Sequence, residues 1–116
     1  MRILIVDDEP LVGKSLRRAL QGYEVDVAES GAEGLALHRK HPYALAYLDC
    51  HLPDTTGHML AKELMVIAKL RCVLIGGGDL HRYRLAGVEC LEKPFTREDL
   101  RASVAKHLPG AGGMEG

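Results

Sequence analysis

Arg2-Ile3-Leu4-Ile5-Val6-Asp7-Asp8-Glu9-Pro10 sets four consecutive apolar residues against three acids and a proline. A short, continuous and branched apolar run reads as a strand buried on both faces, the kind that parallel sheets contain. The acids end it at once. Pro10 then opens a helix, because its missing N–H costs nothing in a first turn. Val12, Leu16, Ala19 and Leu20 fall on one face of that helix, with Lys14, Arg17 and Arg18 towards the other, and Gly22 stops it.

The same alternation runs through the rest of the chain. Residues 23–27 read as a second strand, and Ser30 with Glu33 has capping-box spacing before a second helix that contains Leu35. Pro42 ends that helix, and 43–48 is a third apolar strand. The turn residues Pro53-Asp54-Thr55-Thr56-Gly57 lead into a third helix marked by Leu60, Leu64, Ile67 and Ala68. A fourth strand over 72–75 is cut off by Gly76-Gly77-Gly78, and 79–86 has room for at most two helical turns. Residues 89–92 form a brief fifth strand. Thr96 caps a last helix, with Glu98 and Asp99 in its first turn and Leu100, Val104 and Leu108 on its apolar face. Residues 110–116 lack periodicity and are expected to form a flexible tail after a single domain over 1–109.

Five strands alternating with five helices predict an α/β fold: a doubly wound parallel sheet with helices on both faces and a shortened fourth helix. Such sheets bind ligands beyond the carboxyl ends of their strands. At those positions stand Asp7-Asp8-Glu9, Asp49, Gly76-Gly77-Gly78 and Lys93-Pro94. A lone acid after a strand is ordinarily a solvated loop residue. Several acids converging with one lysine is a sharper pattern, since two carboxylates about 5 Å apart repel by roughly 3 kcal/mol at an effective dielectric near 20. A divalent hard cation such as Mg²⁺ is the simplest remedy, and Lys93 is suited to a phosphoryl oxygen.

Composition narrows the function classes. The chain has 116 residues, 47% hydrophobic and 27% charged, with a formal net charge of -1, which fits one ordinary globular domain. Near-zero charge argues against a domain built to grip nucleic acid or a membrane surface. The three cysteines, Cys50, Cys72 and Cys90, are odd in number and read as small buried hydrophobes. There is no leader-like segment and no apolar run long enough to span a membrane, so a cytoplasmic location is expected. His38, His41, His58, His81 and His107 show no ligand spacing and read as surface residues.

Three segments carry a family resemblance: Ile5-Val6-Asp7-Asp8-Glu9-Pro10, then 48–57 with its Asp-x-x-x-Pro-x-x-x-Gly pattern, and Leu91-Glu92-Lys93-Pro94-Phe95. Over about residues 2–108 the chain resembles the receiver domain of two-component response regulators. The resemblance implies a flavodoxin-like strand order 2-1-3-4-5 and a phosphoprotein that signals by phosphorelay, not an enzyme with its own substrate. It implies that Asp49 takes a phosphoryl group, as an aspartyl phosphate, from a sensor histidine kinase or a histidine phosphotransfer protein. Asp8 and Asp49 would ligate Mg²⁺, Asp7 would assist through water, and His51 would contribute its backbone carbonyl. Lys93 would pair with Asp49 and then with the phosphoryl group, and a downstream protein would read the result on the face between the last two helices. The imidazole of His51 has no part in that scheme.

The chain departs from the family pattern at two positions. Gly76 stands where a Ser or Thr hydroxyl usually binds the phosphoryl group, so the main-chain N–H groups of Gly76 and Gly77 are the remaining phosphate-binding candidates. Cys90 stands where an aromatic residue usually follows that hydroxyl. These departures leave a second reading open, an atypical receiver acting as a phosphorylation-independent interaction module. A small aspartate-nucleophile phosphatase fits less well, because Asp7 and Asp8 are adjacent where that chemistry wants Asp-x-Asp.

Overall fold

The computed structural model describes residues 2–67, 70–83, 85 and 87–108. Strand β1 (Arg2–Val6) leads into helix α1 (Pro10–Ala19), and β2 (Glu24–Ala28) into α2 (Gly31–Lys40). Then come β3 (Leu45–Asp49), α3 (Gly57–Ile67), β4 (Arg71–Gly76), a 3-10 turn at Leu80–Tyr83, β5 (Glu89–Glu92) and α4 (Arg97–His107). The five strands form one sheet in the order β2-β1-β3-β4-β5, and every neighbouring pair is parallel.

Alternation along the strands divides the core. Leu4, Val6, Ala46, Leu48 and Leu74 pack with Leu60, Ala61 and Leu64 of α3 on one face. Ile3, Ile5, Leu45, Tyr47, Val73 and Ile75 pack with Leu16 of α1 and Leu100 and Val104 of α4 on the other. Both faces of β1 and β3 are therefore apolar, which is why those segments read as unbroken runs. Each fully buried Leu or Ile contributes roughly 2 kcal/mol of transfer free energy.

Local chemistry sets the helix starts. Ser30 Oγ accepts from the Glu33 N–H at 3.1 Å, while the Glu33 carboxylate accepts from the Glu29 N–H at 2.8 Å, one residue upstream of the usual reciprocal partner. Thr96 and Asp99 form the full capping box, with both bonds at 3.0 Å. Gly22, at φ 102°, takes the left-handed conformation that lets the chain turn from α1 into β2.

Among the described residues, the expected five helices are four α-helices and one 3-10 turn. After Gly76-Gly77-Gly78, the stretch to β5 has room for a single tight turn at Leu80–Tyr83. Strand boundaries also shift by one or two residues: the second strand is Glu24–Ala28 and the fourth is Arg71–Gly76. The third strand begins at Leu45, because Tyr43 is buried and donates its hydroxyl to Asp26 at 2.6 Å. It extends to Asp49, which pairs with Ile75 in the ladder. The expected helical residue Ala68, residue Ala86 and the expected tail over 110–116 lie outside the described residues, as do both ends of the expected domain, Met1 and Pro109. Among the described residues no helix is long and apolar enough to cross a membrane.

His107, and less fully the half-buried His38, His41 and His58, correct the surface reading of the histidines. The His107 side chain is 12% exposed, and Nε2 pairs with the Glu89 carboxylate across from β5. A helix residue one turn from an edge strand is covered by that strand, which histidine spacing alone does not reveal. Cys50 and Cys72 are buried as expected, while Cys90 is half-buried.

Candidate functional site

Parallel register brings the strand ends to one rim. Asp7 follows β1, Asp49 ends β3, Gly76 ends β4 opposite Glu92, and Lys93 follows β5. Asp7 is fully buried, with its N–H donating to the Ala28 carbonyl at 3.0 Å and its Oδ1 accepting from the Glu9 N–H at 3.0 Å. Asp49 is nearly buried and Asp8 is exposed. One carboxylate oxygen from each of Asp7, Asp8 and Asp49 lies within 4.8 Å of the others.

Lys93 is the cation facing this cluster. Its Nζ donates to Asp7 Oδ2 at 3.0 Å and stands 3.7 Å from Asp49 Oδ2. The Lys93 N–H donates to the Gly76 carbonyl at 2.6 Å, and the Lys93–Pro94 peptide is cis. Burial alone would lower the ammonium pKa. The Asp7 hydrogen bond and the charges of Asp49, Asp7 and Glu9 outweigh it and hold Lys93 above its ordinary value.

Asp49 is pushed up to about 6, first by burial and then by the charge of Asp7. The His51 N–H, which donates to Asp49 Oδ1 at 3.2 Å, and the Lys93 charge work in the opposite direction. One lysine does not compensate three carboxylates, so the site retains an excess of negative charge with oxygen donors.

Gly57 explains part of the loop spacing. A Cβ at Gly57 would sit 2.4 Å from the Asp49 carbonyl oxygen, so the turn returns to the end of β3 only through glycine. Its N–H donates to the Cys50 carbonyl at 3.0 Å, and an isolated antiparallel bridge joins His51 to Thr56. The His51 carbonyl belongs to this closed loop. Asp54, read only as a turn residue, accepts from the Gly31 and Ala32 N–H groups at 2.9 Å each. It caps α2, and those two bonds hold its carboxyl below the ordinary range.

The glycines after β4 differ from one another. A Cβ at Gly76 would lie 3.0 Å from Cys50 Sγ and 3.3 Å from Leu80 Cδ1, whereas Gly77 and Gly78 face open space. Just beyond them, Asp79 Oδ2 lies 2.9 Å from His51 Nε2. Sequence reading missed Asp79, and only its place directly after the glycines hinted at it.

Residues 3–105 match the family model of the response regulator receiver domain. The virulence sensor protein BvgS of Bordetella pertussis is 33% identical over 87% of this chain and 9% of its own length. The transcriptional regulatory protein AruR of Pseudomonas aeruginosa is 33% identical over 92% of this chain and 48% of its own. The response regulator MprA of Mycobacterium leprae is 36% identical, with coverages of 90% and 49%. The chain thus spans about half the length of these two regulators and a small part of the sensor. A CheY-like receiver domain protein from Methanospirillum hungatei JF-1 superposes with a TM-score of 0.83 at 30% identity, covering 90% of each chain. A receiver domain protein from Clostridium thermocellum gives 0.84 at 28% identity, covering 92% of this chain and 93% of that one.

Proposed function

The chain belongs to the response regulator receiver domain family, and from that premise we propose that Asp49 is its phosphoacceptor, charged by a phosphohistidine protein and assisted by Mg²⁺. The observation that carries this reading is the convergence of Asp7, Asp8 and Asp49 within 4.8 Å, with Lys93 Nζ at 3.0 Å from Asp7 and 3.7 Å from Asp49.

The donor set fits the metal. All three side chains offer hard oxygen, and exposed Asp8 leaves one side of the cluster open to water and phosphate oxygens. Asp7, Asp8, Asp49 and the His51 carbonyl are the residues that would hold it. Bound Mg²⁺ supplies the positive charge that three carboxylates and one lysine lack.

The chain's own residues divide the remaining work. An Asp49 carboxylate oxygen forms the bond to phosphorus while the bond from phosphorus to the donor imidazole breaks, and the imidazole leaves with the electron pair. The transition state is loose, so positioning and charge neutralisation matter more than base catalysis. With a pKa of about 6, Asp49 is mostly ionised at neutral pH and needs no base. Lys93 lies within reach of both Asp49 and a phosphoryl oxygen upon it. The Gly77 N–H is the candidate anion donor on the other side, because Gly76 is committed to the ladder opposite Glu92.

Beside Lys93, a groove of about 340 Å³ is lined by Leu11, Val12, Leu16, Pro94 and Phe95, with Leu11 80% exposed. It is an apolar surface next to the pocket, and it supports docking of a donor protein there. Output passes to a downstream protein, and the domain acts by contact.

Intact-mass measurement after incubation with Mg²⁺ and a small phosphodonor tests the assignment. One phosphoryl adduct is expected, absent without Mg²⁺ and absent in Asp49→Ala. Failure of the unsubstituted chain to take the group, with partner binding indifferent to phosphodonor, would establish the phosphorylation-independent module instead.

A further inference from the structure

The glycine run after β4 is fixed at its start and at its end, but by different means. Gly76 sits in the ladder opposite Glu92, and its carbonyl accepts from the Lys93 N–H. Gly77 and Gly78 have no neighbour within 4 Å of where a Cβ would stand, and the Gly77 carbonyl accepts from the Leu80 N–H at 3.0 Å. Glycines lose more freedom on ordering than any other residue. At the far end the Asp79 carboxylate meets His51 Nε2 at 2.9 Å. The main-chain N–H of the same His51 donates to Asp49 Oδ1 at 3.2 Å. One residue therefore grips both the Asp49 carboxylate and the end of the glycine loop.

We propose that the His51–Asp79 pair is a clasp that pre-orders the Gly77–Gly78 main chain for a phosphoryl oxygen on Asp49. It orders, by a side-chain hydrogen bond, a loop that has no hydroxyl at Gly76 to hold the phosphoryl group. The inference rests on Asp49 as phosphoacceptor. The side chains of His51 and Asp79 are positioning groups and do not touch the reacting atoms, whereas the His51 main chain does, through its N–H on Asp49 Oδ1. Both side chains are about half exposed, so the pair adds little to global stability and its variants fold.

Two readouts on the full chain test the clasp. Amide hydrogen exchange at Gly77 and Gly78, without metal or phosphodonor, reads loop order directly. Affinity for beryllofluoride with Mg²⁺ reads phosphoryl binding. His51→Ala and Asp79→Ala are each expected to speed exchange and weaken beryllofluoride binding by about fivefold, the double variant by no more than either single. Asp79→Asn keeps an acceptor for the imidazole N–H and is expected to restore most of both. Unchanged exchange, or single-variant effects that multiply in the double variant, overturns the clasp. A wild-type chain that takes neither phosphoryl group nor beryllofluoride overturns the Asp49 assignment, and the positioning role with it. Faster exchange in the variants would then register the loop contact separately.

Discussion

Lys93 is bonded more closely to Asp7 than to Asp49: the ammonium donates to Asp7 at 3.0 Å and stands 3.7 Å from Asp49. Asp7 is wholly buried, so Lys93 compensates a charge that water does not reach. Removing one member of a buried pair typically costs about 3–5 kcal/mol. Lys93 is partly exposed, so Lys93→Met is expected to lose about 2–3 kcal/mol at neutral pH in urea titrations with chelator present. Asp7→Asn in the same chain is expected to return most of that loss. If Lys93→Met lowers phosphorylation and leaves stability untouched, Lys93 has no structural part.

Asp49 makes stability depend on pH in the reverse of the usual carboxylate direction. Its folded value, about 6, exceeds the ordinary 3.8, so the native state holds this proton more tightly than the unfolded chain. That contribution is fully present below pH 3.8 and is lost as pH rises through 6. Asp49→Asn is expected to be more stable than wild type by about 2–3 kcal/mol at pH 7.5 without metal. The gap should close as the solution is brought below pH 4. The proposed phosphorylation needs the carboxylate, and Mg²⁺ beside it would lower its pKa, so the initial rate should fall only below about pH 6.

Mg²⁺ held by the native cluster, as proposed, and not by the unfolded chain should stabilise the fold by mass action. At 100 times the dissociation constant the gain is about 2.7 kcal/mol. Thermal melts with Mg²⁺ against chelator should show an upward shift in wild type and little in Asp8→Asn, because Asp8 is the exposed ligand and its loss leaves the core intact. An equal shift in both would remove Asp8 from the site.

Gly76 and Cys50 share space. A Ser side chain at Gly76 starts 3.0 Å from Cys50 Sγ, so Gly76→Ser alone should cost about 1–2 kcal/mol through crowding. In Cys50→Ala the thiol is gone and the same substitution should cost about 1 kcal/mol less, a coupling that a double-mutant cycle in urea measures. Independent costs would mean that Leu80, at 3.3 Å, sets the limit instead.

The parallel strands and the identity of the rim were legible because a parallel sheet buried on both faces leaves unbroken apolar runs, and a change from apolar to acidic marks the carboxyl ends of β1 and β3, whereas the strand order followed only from the family resemblance. Ile3–Val6 followed by Asp7-Asp8, and Tyr47-Leu48 followed by Asp49, carry that signal in sequence alone. The partners within the rim were not legible. Whether Lys93 bonds Asp7 or Asp49 depends on side-chain reach over about an ångström, and no pattern in the chain encodes it. Asp54 and Asp79 escaped notice for a related reason. Both stand among turn residues, where acids are ordinary, and they acquire partners only when Gly31 and His51 arrive from more than 20 residues away.

The reduction of one helix to the turn at Leu80–Tyr83 leaves β5 thinly covered, and a hollow of about 130 Å³ opens between Gly78, Leu80, His81, Cys90 and Glu92. Cys50 and Cys72 are buried, with thiol pKa values raised to about 11 and about 12 by desolvation, so both resist alkylation. Cys90 borders the hollow and is half-buried, the least covered of the three cysteines. A thiol-reactive dye is therefore expected to attach at Cys90 first, beside the glycine run. Its fluorescence would follow events at the rim in real time without any engineered label.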